Sequence, residues 1–458
     1  MASLARVGAG AGAAVAAGYC YWRYSRPPVV VVGGGVMGLS VAEGLARRGR
    51  RVLLIDAAHP IRGSWGVTRA SHLRMEDATL LQMSLFSIRK WLDLQGQYAA
   101  ALGAEAGEGE SLFYRRTGAA MAGPAEAIRG VADAVRRELG DCPEGALEVL
   151  SASEAAARFP QLRLHASEEL FYSPQGYTML VPTAMACLAW AADRAGAIRE
   201  QGTVASIDRQ RKVVVTEDGA SLPYSQLVVT AGPWTNRVLG DAGLAGLPVF
   251  VSNEQTVELV PRDGAPSHSW NDFPLFTWSE AGYKGRGKEG GCMYFYTTPH
   301  VPIQSSGSAG VKIGFHRQGP LLDSDEFVVA ESTRALAGQL PHIRKELKAA
   351  QDSDLDEFAW QHVQDFVRRK MPCLDADAPA GYMRCRYQMT PDLKMIVGRH
   401  PDDPEVVLAC GFSGSGFQFA PAISEALVAL VSGGELTALQ RDIFAKFNPS
   451  RFSSVPQA

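Results

Sequence analysis

The stretch "VVVVGGGVMGLSVAEGLARRGRRVLLID", Val29 to Asp56, decides the fold. Its four leading valines predict a strand buried on both faces, as in the centre of a parallel sheet. Gly33, Gly35 and Gly38 follow as G-x-G-x-x-G, and a helical pattern continues through "SVAEGLARRG". "RVLLID" then reads as a second strand ending at Asp56. Strand, glycine turn, helix and strand make one βαβ unit. The bare glycine pattern is common, but this context makes it a dinucleotide site. The first glycine permits the tight turn, the second lets the backbone approach a pyrophosphate, and the third allows close helix–sheet packing. Free N–H groups on Val36 and Met37, with the positive end of the helix dipole, face that pyrophosphate. Asp56, with Ala57 after it, is placed to accept hydrogen bonds from an adenosine ribose.

The rest of the chain is ordinary globular sequence. It has 458 residues, 46% apolar and 20% charged, enough for two or three domains or one two-lobed enzyme. A formal charge of −3 lacks the basic footprint of a nucleic-acid protein. Seven cysteines, at 20, 142, 187, 292, 373, 385 and 410, form no CxxC pair. Neither a disulfide framework nor a metal site is expected, and a reducing compartment fits. Residues 1–28 contain no acid and carry Arg6, Arg23 and Arg26. Their uncharged run, Val7 to Trp22, is 16 residues, short of the ~20 that span a bilayer. Membrane anchor, signal peptide, transit segment and plain tail all stay open. So does the location: organelle or membrane-associated through this segment, otherwise cytoplasmic. The ending "SSVPQA" is neither a peroxisomal nor a retention signal.

Two later stretches favour FAD over NAD. "VASIDR", beginning at Val204, reads as a strand that folds back onto the adenine. "QLVVTAGPWTN" reads as a further buried strand whose small residues, Ala231 and Gly232, and then Trp234, crowd the cofactor. "VVVTEDGASL" has the look of a hairpin turning at Asp218-Gly219. Residues 101–165 read as exposed helices and loops, 248–320 as strand-rich, 324–370 as a long charged helical stretch, and 421–432 as a helix. No clean linker splits the chain. The expected fold class is α/β, two-lobed, with a Rossmann-like FAD-binding domain intertwined with an antiparallel-sheet substrate domain. The first takes 29–100, 165–247 and 371–447, and the second takes 101–164 and 248–370. Residues 1–28 and 448–458 are tails.

Near the C-terminus, "MRCRYQMTPDLKMIVGRHP" (Met383 to Pro401) sets Cys385 between Arg384 and Arg386. Flanking cations favour the thiolate, the nucleophilic form; a cysteine seen alone reads as buried and inert. Cys385-x-Tyr387-x-x-Thr390-Pro391-Asp392, followed by "VVLACGFSGSGFQFAPAISEAL", changes the weight. With the N-terminal site, it makes the chain resemble the sarcosine oxidase and pipecolate oxidase family. These are FAD amine oxidases of the D-amino acid oxidase superfamily, and the likeness runs from about Val29 to Phe447. The resemblance implies that Cys385 carries the flavin through a thioether to its 8α-methyl group. It implies that Gly411, Gly414, Ser415, Gly416 and Gln418 meet the flavin ring, just before a helix whose dipole stabilises the anionic reduced form. Lys312, in "GVKIGFH", would lie over the flavin and stabilise superoxide formed from O₂. His316 and Tyr296 would surround the substrate amine. The loop "SWGVTRASHLRMED", through Thr68 and Arg69, would bring a cation to the other flavin face.

Two positions depart from the family pattern. Where members hold the substrate carboxylate with an arginine and a lysine, this chain has His72, with Arg74 slightly further on, and Gln418. Each charge-assisted pair contributes about 1.5–3 kcal/mol, so the substrate carboxylate is expected to be absent, masked or held otherwise. The implied reaction is oxidation of a secondary amine or N-substituted amino acid by a monomeric enzyme. Hydride passes from the α-carbon of the C–N bond to flavin N5, an imine forms, and O₂ is reduced to H₂O₂. The isoalloxazine does the chemistry and the protein positions it. Two alternatives are a flavin amine dehydrogenase passing electrons to a quinone or carrier protein, and a non-catalytic flavoprotein assembly factor.

Overall fold

A computed structural model describes residues 26–59, 63–74, 77–103, 113–139, 147–279, 294–303, 306–322, 327, 333, 344, 346–348 and 354–453. The anchor or targeting reading of the N-terminal segment falls largely outside these residues. Among the described residues, no helix is long and apolar enough to cross a membrane.

The chain folds as the mixed α/β architecture its opening stretch predicts. Val29–Val32 forms the centre of a six-stranded sheet. It pairs in parallel with Gln226–Val229 on one side and Val52–Asp56 on the other. Asp403–Cys410 and Ile198–Gln201 extend the sheet in parallel, and Ile396–His400 closes one edge antiparallel. The valines divide by parity, as strand side chains must. Val29 and Val31 enter one core, with Val41, Leu45 and Ile423 of the helices Val36–Arg47 and Gly416–Ser432. Val30 and Val32 enter the opposite core, with Val204, Val238 and Leu239. The Asp218-Gly219 hairpin forms, joining Val213–Thr216 to Ser221–Pro223.

The second sheet has ten strands and is mostly antiparallel, although Leu275–Ser279 runs parallel to Ala119–Pro124. Helix Glu357–Lys370 covers one face, placing Trp360, Val363 and Phe366 against Val311, Ile313 and Phe295. Alternation then turns Lys312 and Tyr296 to the other face, towards the six-stranded sheet. Strands Glu168–Ser173 and Gly381–Met389 also pair within this sheet. Their ranges were assigned to the nucleotide part from the sequence, and local pattern does not say which sheet a strand joins.

Three sequence expectations change. Residues 101–165 are not simply exposed helices and loops. Ala119–Pro124 and Glu148–Ser151 are strands of the large sheet, and helix Ala125–Leu139 buries Ile128, Val131 and Val135. The sequence of the first, AAMAGP, is a poor strand former. Pairing on both sides, with Glu168–Ser173 and Leu275–Ser279, makes it one. Within 324–370, the described helix is Glu357–Lys370, which starts where Asp356 accepts a hydrogen bond from Ala359 N at 3.3 Å. The helix expected from Pro421 begins at Gly416, with Ser415 as its N-cap.

Candidate active site

A cavity of about 610 Å³ lies between the two sheets. One end is built by the βαβ unit. The Gly33 turn has φ +103°, and a Cβ there would lie 2.6 Å from Thr230 O. A Cβ on Gly38 would lie 1.8 Å from Gly33 O, so the helix can approach the turn only without one. Gly35 caps helix Val36–Arg47 with no side-chain hydrogen bond and no acid in the first turn, which leaves the positive end open to the cavity. Val36 N, expected to be free, donates to Ser64 Oγ at 2.9 Å, and Ser64 opens the same loop that carries Arg69. Asp56 and Ala57 line the wall at the end of the second strand. Val204, Ala231, Gly232 and Trp234 line it from the far side.

The other end is built by the large sheet and the start of helix Gly416–Ser432. Cys385, Lys312, Tyr296, His316 and Arg69 all line it. Lys312 is only 4% exposed, and its Nζ donates to Thr68 O. Burial, then the nearby Arg69 charge, push its amine down to about 7. Arg69 donates to Thr68 O at 2.9 Å, to Gly63 O at 3.1 Å and to Trp65 O, so loop carbonyls fix the guanidinium. Its Cζ sits 5.9 Å from the Phe417 ring centroid. The Tyr296 and Tyr387 hydroxyls are 3.4 Å apart, and the His316 ring stands edge-on to both rings. Burial raises both phenols.

Cys385 is buried, but not as the sequence suggested. Its neighbours Arg384 and Arg386 turn to the opposite face of the strand, as residues i±1 must. There they bond Gln255, Asn253 O and Asn253 Oδ1. Burial raises the Cys385 pKa rather than lowering it. Arg69 and Lys312, brought from other strands, oppose that rise more than Arg384 does, while the Glu254 carboxyl adds to it. Glu254 lies directly opposite Cys385 in the antiparallel register, and burial raises its pKa too.

The two departures from the family pattern touch each other. His72 N donates to Gln418 Oε1 at 3.0 Å, and His72 Nδ1 lies 2.9 Å from Leu73 O, the geometry of an Nδ1–H donor. Arg74 Nη1 donates to Ser415 Oγ at 2.7 Å. His72, Gln418, Arg74, Gly414, Ser415 and Gly416 all line the cavity. Of the residues singled out from the sequence, Gly38, Thr68 and Gly411 do not. Gly38 packs beneath the turn, Thr68 supplies the carbonyl that holds Lys312 and Arg69, and Gly411 N bonds Gln388 Oε1 at 2.8 Å. Tyr387 was missed as a site residue, although it stands two positions after Cys385 and so shares its face.

The fold has counterparts among known proteins. The model of the family described as DAO, FAD dependent oxidoreductase, matches residues 28–430. The chain belongs to that family. FAD fits what is present: a glycine turn a Cβ would obstruct, an acid-free helix N-terminus, and a cavity running from Asp56 to the Cys385 and Lys312 strands. The chain is 24% identical to a monomeric sarcosine oxidase of Streptomyces avermitilis, over 93% of this chain and 98% of that one. It is 26% identical to the peroxisomal sarcosine oxidase of Homo sapiens, over 94% and 97%. Among solved structures, NikD, described as an unusual amino acid oxidase, aligns with TM-score 0.65 at 20% identity, over 90% of this chain and 96% of that one. L-proline dehydrogenase from P. horikoshii aligns with TM-score 0.67 at 19% identity, over 94% and 98%. Such identities show the fold, and that fold carries both an oxidase and a dehydrogenase.

Proposed function

We propose that this FAD-dependent oxidoreductase oxidises the C–N bond of a secondary amine or N-substituted amino acid, using O₂ and producing an imine and H₂O₂. The observation that carries the reading is the grouping of Lys312, Arg69, Cys385, Tyr296 and His316 at the end of the cavity remote from Asp56. FAD supplies the two-electron chemistry when bound, accepting a hydride equivalent and passing electrons to O₂. Gly33, Gly35, Val36, Asp56 and Val204 would hold its dinucleotide half. Cys385 would tether its ring, and Gly414 to Gln418 would border it.

The chain's own groups set the rest. Acids among the described cavity-lining residues are Asp56, Glu217 and Asp241, all on the nucleotide side with Val204 and Trp234. At the reacting end stand Lys312 and Arg69, which disfavour a protonated amine by like charge. The substrate amine is therefore bound neutral, the form that can give up hydride. Tyr296, Tyr387 and His316 offer hydrogen bonds and ring faces to orient it. Lys312, titrating near neutrality, supplies positive charge where O₂ is reduced. Where the family holds a carboxylate, the neutral Gln418 amide accepts from the His72 backbone N–H, and no fixed cation replaces the family's pair at these two positions. A substrate with a free carboxylate thus gains less here.

The test is a panel of secondary amines and N-methyl amino acids assayed for H₂O₂ release by purified protein. The reading predicts turnover of at least one neutral secondary amine. Flavin bleaching that O₂ fails to reverse, but a quinone dye does, would reassign the enzyme as a dehydrogenase.

A further inference from the structure

We propose that the cavity continues past the reacting end into a subsite for a bulky uncharged group. The substrate is then an amine bearing an aryl or branched alkyl substituent, not one of sarcosine's size. This rests on the amine-oxidation reading for the rest of the molecule. Residues directly opposite one another on neighbouring strands project from the same face. One such row crosses the large sheet through Phe171, Met121, Thr277, Tyr296, Gly314 and Thr256. Every one of them except Gly314 lines the cavity. Neighbouring strands stand ~4.8 Å apart, so the three steps from Tyr296 to Phe171 cover about 14 Å.

The arm is closed at its far end, where Met121 and Phe171 pack against Ile128 and Val131 of helix Ala125–Leu139. Its flanks are small or apolar: Ala119, Ser173, Leu275 and Ser279. The strands Ala119–Pro124, Glu168–Ser173 and Leu275–Ser279 contribute no charged side chain to the cavity. A carboxylate or ammonium in this arm would lose water and gain no counter-charge from the described residues of these three strands. An apolar group of benzyl size gains from burial. Thr277, midway along the row and 8% exposed, is the position where added bulk would fill the arm.

The test is binding without turnover. Benzyl methyl sulfide and dimethyl sulfide are unreactive stand-ins for a bulky and a small amine, and holoenzyme is titrated with each by calorimetry. The benzyl compound is expected to bind at least tenfold tighter. Thr277→Phe is expected to weaken it at least tenfold while changing dimethyl sulfide less than twofold. Thr277→Leu gives the same sign if the phenylalanine variant fails to retain flavin. Equal affinities in the wild type, or equal losses in the variant, overturn the proposal. N-methylbenzylamine and sarcosine are mixed anaerobically with the same protein. If neither bleaches the flavin while the sulfides follow the expected pattern, the amine reading falls and the subsite stands. Bleaching without the sulfide pattern is the reverse.

Discussion

Lys312→Met separates a buried amine from a solvated one. In the folded chain burial and Arg69 push this lysine down to about 7, whereas an unfolded lysine titrates near 10.4. Between those values the unfolded chain holds a proton that the folded chain lacks, so stability rises with pH across the window. The slope is about 1.4 kcal/mol per pH unit, or about 3 kcal/mol from about pH 7 to about pH 9. Below about pH 7 both states are protonated, and the folded state carries the full cost of the buried charge. Methionine removes both the titration and the hydrogen bond to Thr68 O. The wild type should therefore gain on the variant by roughly 3 kcal/mol across that range, and the variant should recover ground in acid. The assay is the denaturation midpoint of both proteins at matched pH, since other titrating groups cancel in the difference. Parallel profiles would refute the buried-amine argument. In stopped flow, the same variant should reoxidise with O₂ far more slowly while flavin reduction changes little; equal slowing of both steps would remove Lys312 from the oxygen reaction.

Three further outcomes are expected. Acid precipitation of the wild type should leave the flavin on the polypeptide, whereas Cys385→Ala should release it to the supernatant, as absorbance of the two fractions will read. Gly38→Ala places a methyl 1.8 Å from a backbone oxygen that cannot move aside. It should lower stability by about 3 kcal/mol or more and yield protein with little flavin, measured by thermal midpoint and flavin content; a normal holoprotein would contradict the close helix approach. Gln418→Lys restores a cation beside His72, and sarcosine KM should fall roughly tenfold, about 1.4 kcal/mol. An unchanged KM would mean that the carboxylate is held elsewhere.

How much was legible depends on whether the signal was local. Val29 to Asp56 was readable because strand burial, glycine turn and helix are each encoded within a few residues of one another. The placing of Lys312 followed from Val311 and Ile313, whose core faces force the residue between them the other way. Sequence adjacency overstates Arg384 and Arg386: Arg384 does oppose the rise of the Cys385 pKa, but less than Arg69 and Lys312 do. On a strand adjacency means opposite faces, and the same rule would have found Tyr387. The row from Tyr296 through Thr277 to Met121 left no trace, because it joins strands far apart in sequence through pairing alone. Ala119–Pro124 is a strand by virtue of its neighbours, not its composition. The loop from Ser64 was readable for Arg69, but not for Ser64 itself, whose bond to Val36 N joins two segments that only the fold brings together.

The central claim is that the cavity between the glycine turn and Cys385 holds a flavin that an amine reduces directly. Anaerobic titration of the purified protein with a neutral secondary amine tests it in one visible spectrum. A yellow protein that bleaches with one equivalent of amine, and regains its colour on admitting air as H₂O₂ appears, is the predicted result. A colourless protein, or a yellow one that no amine bleaches, contradicts it.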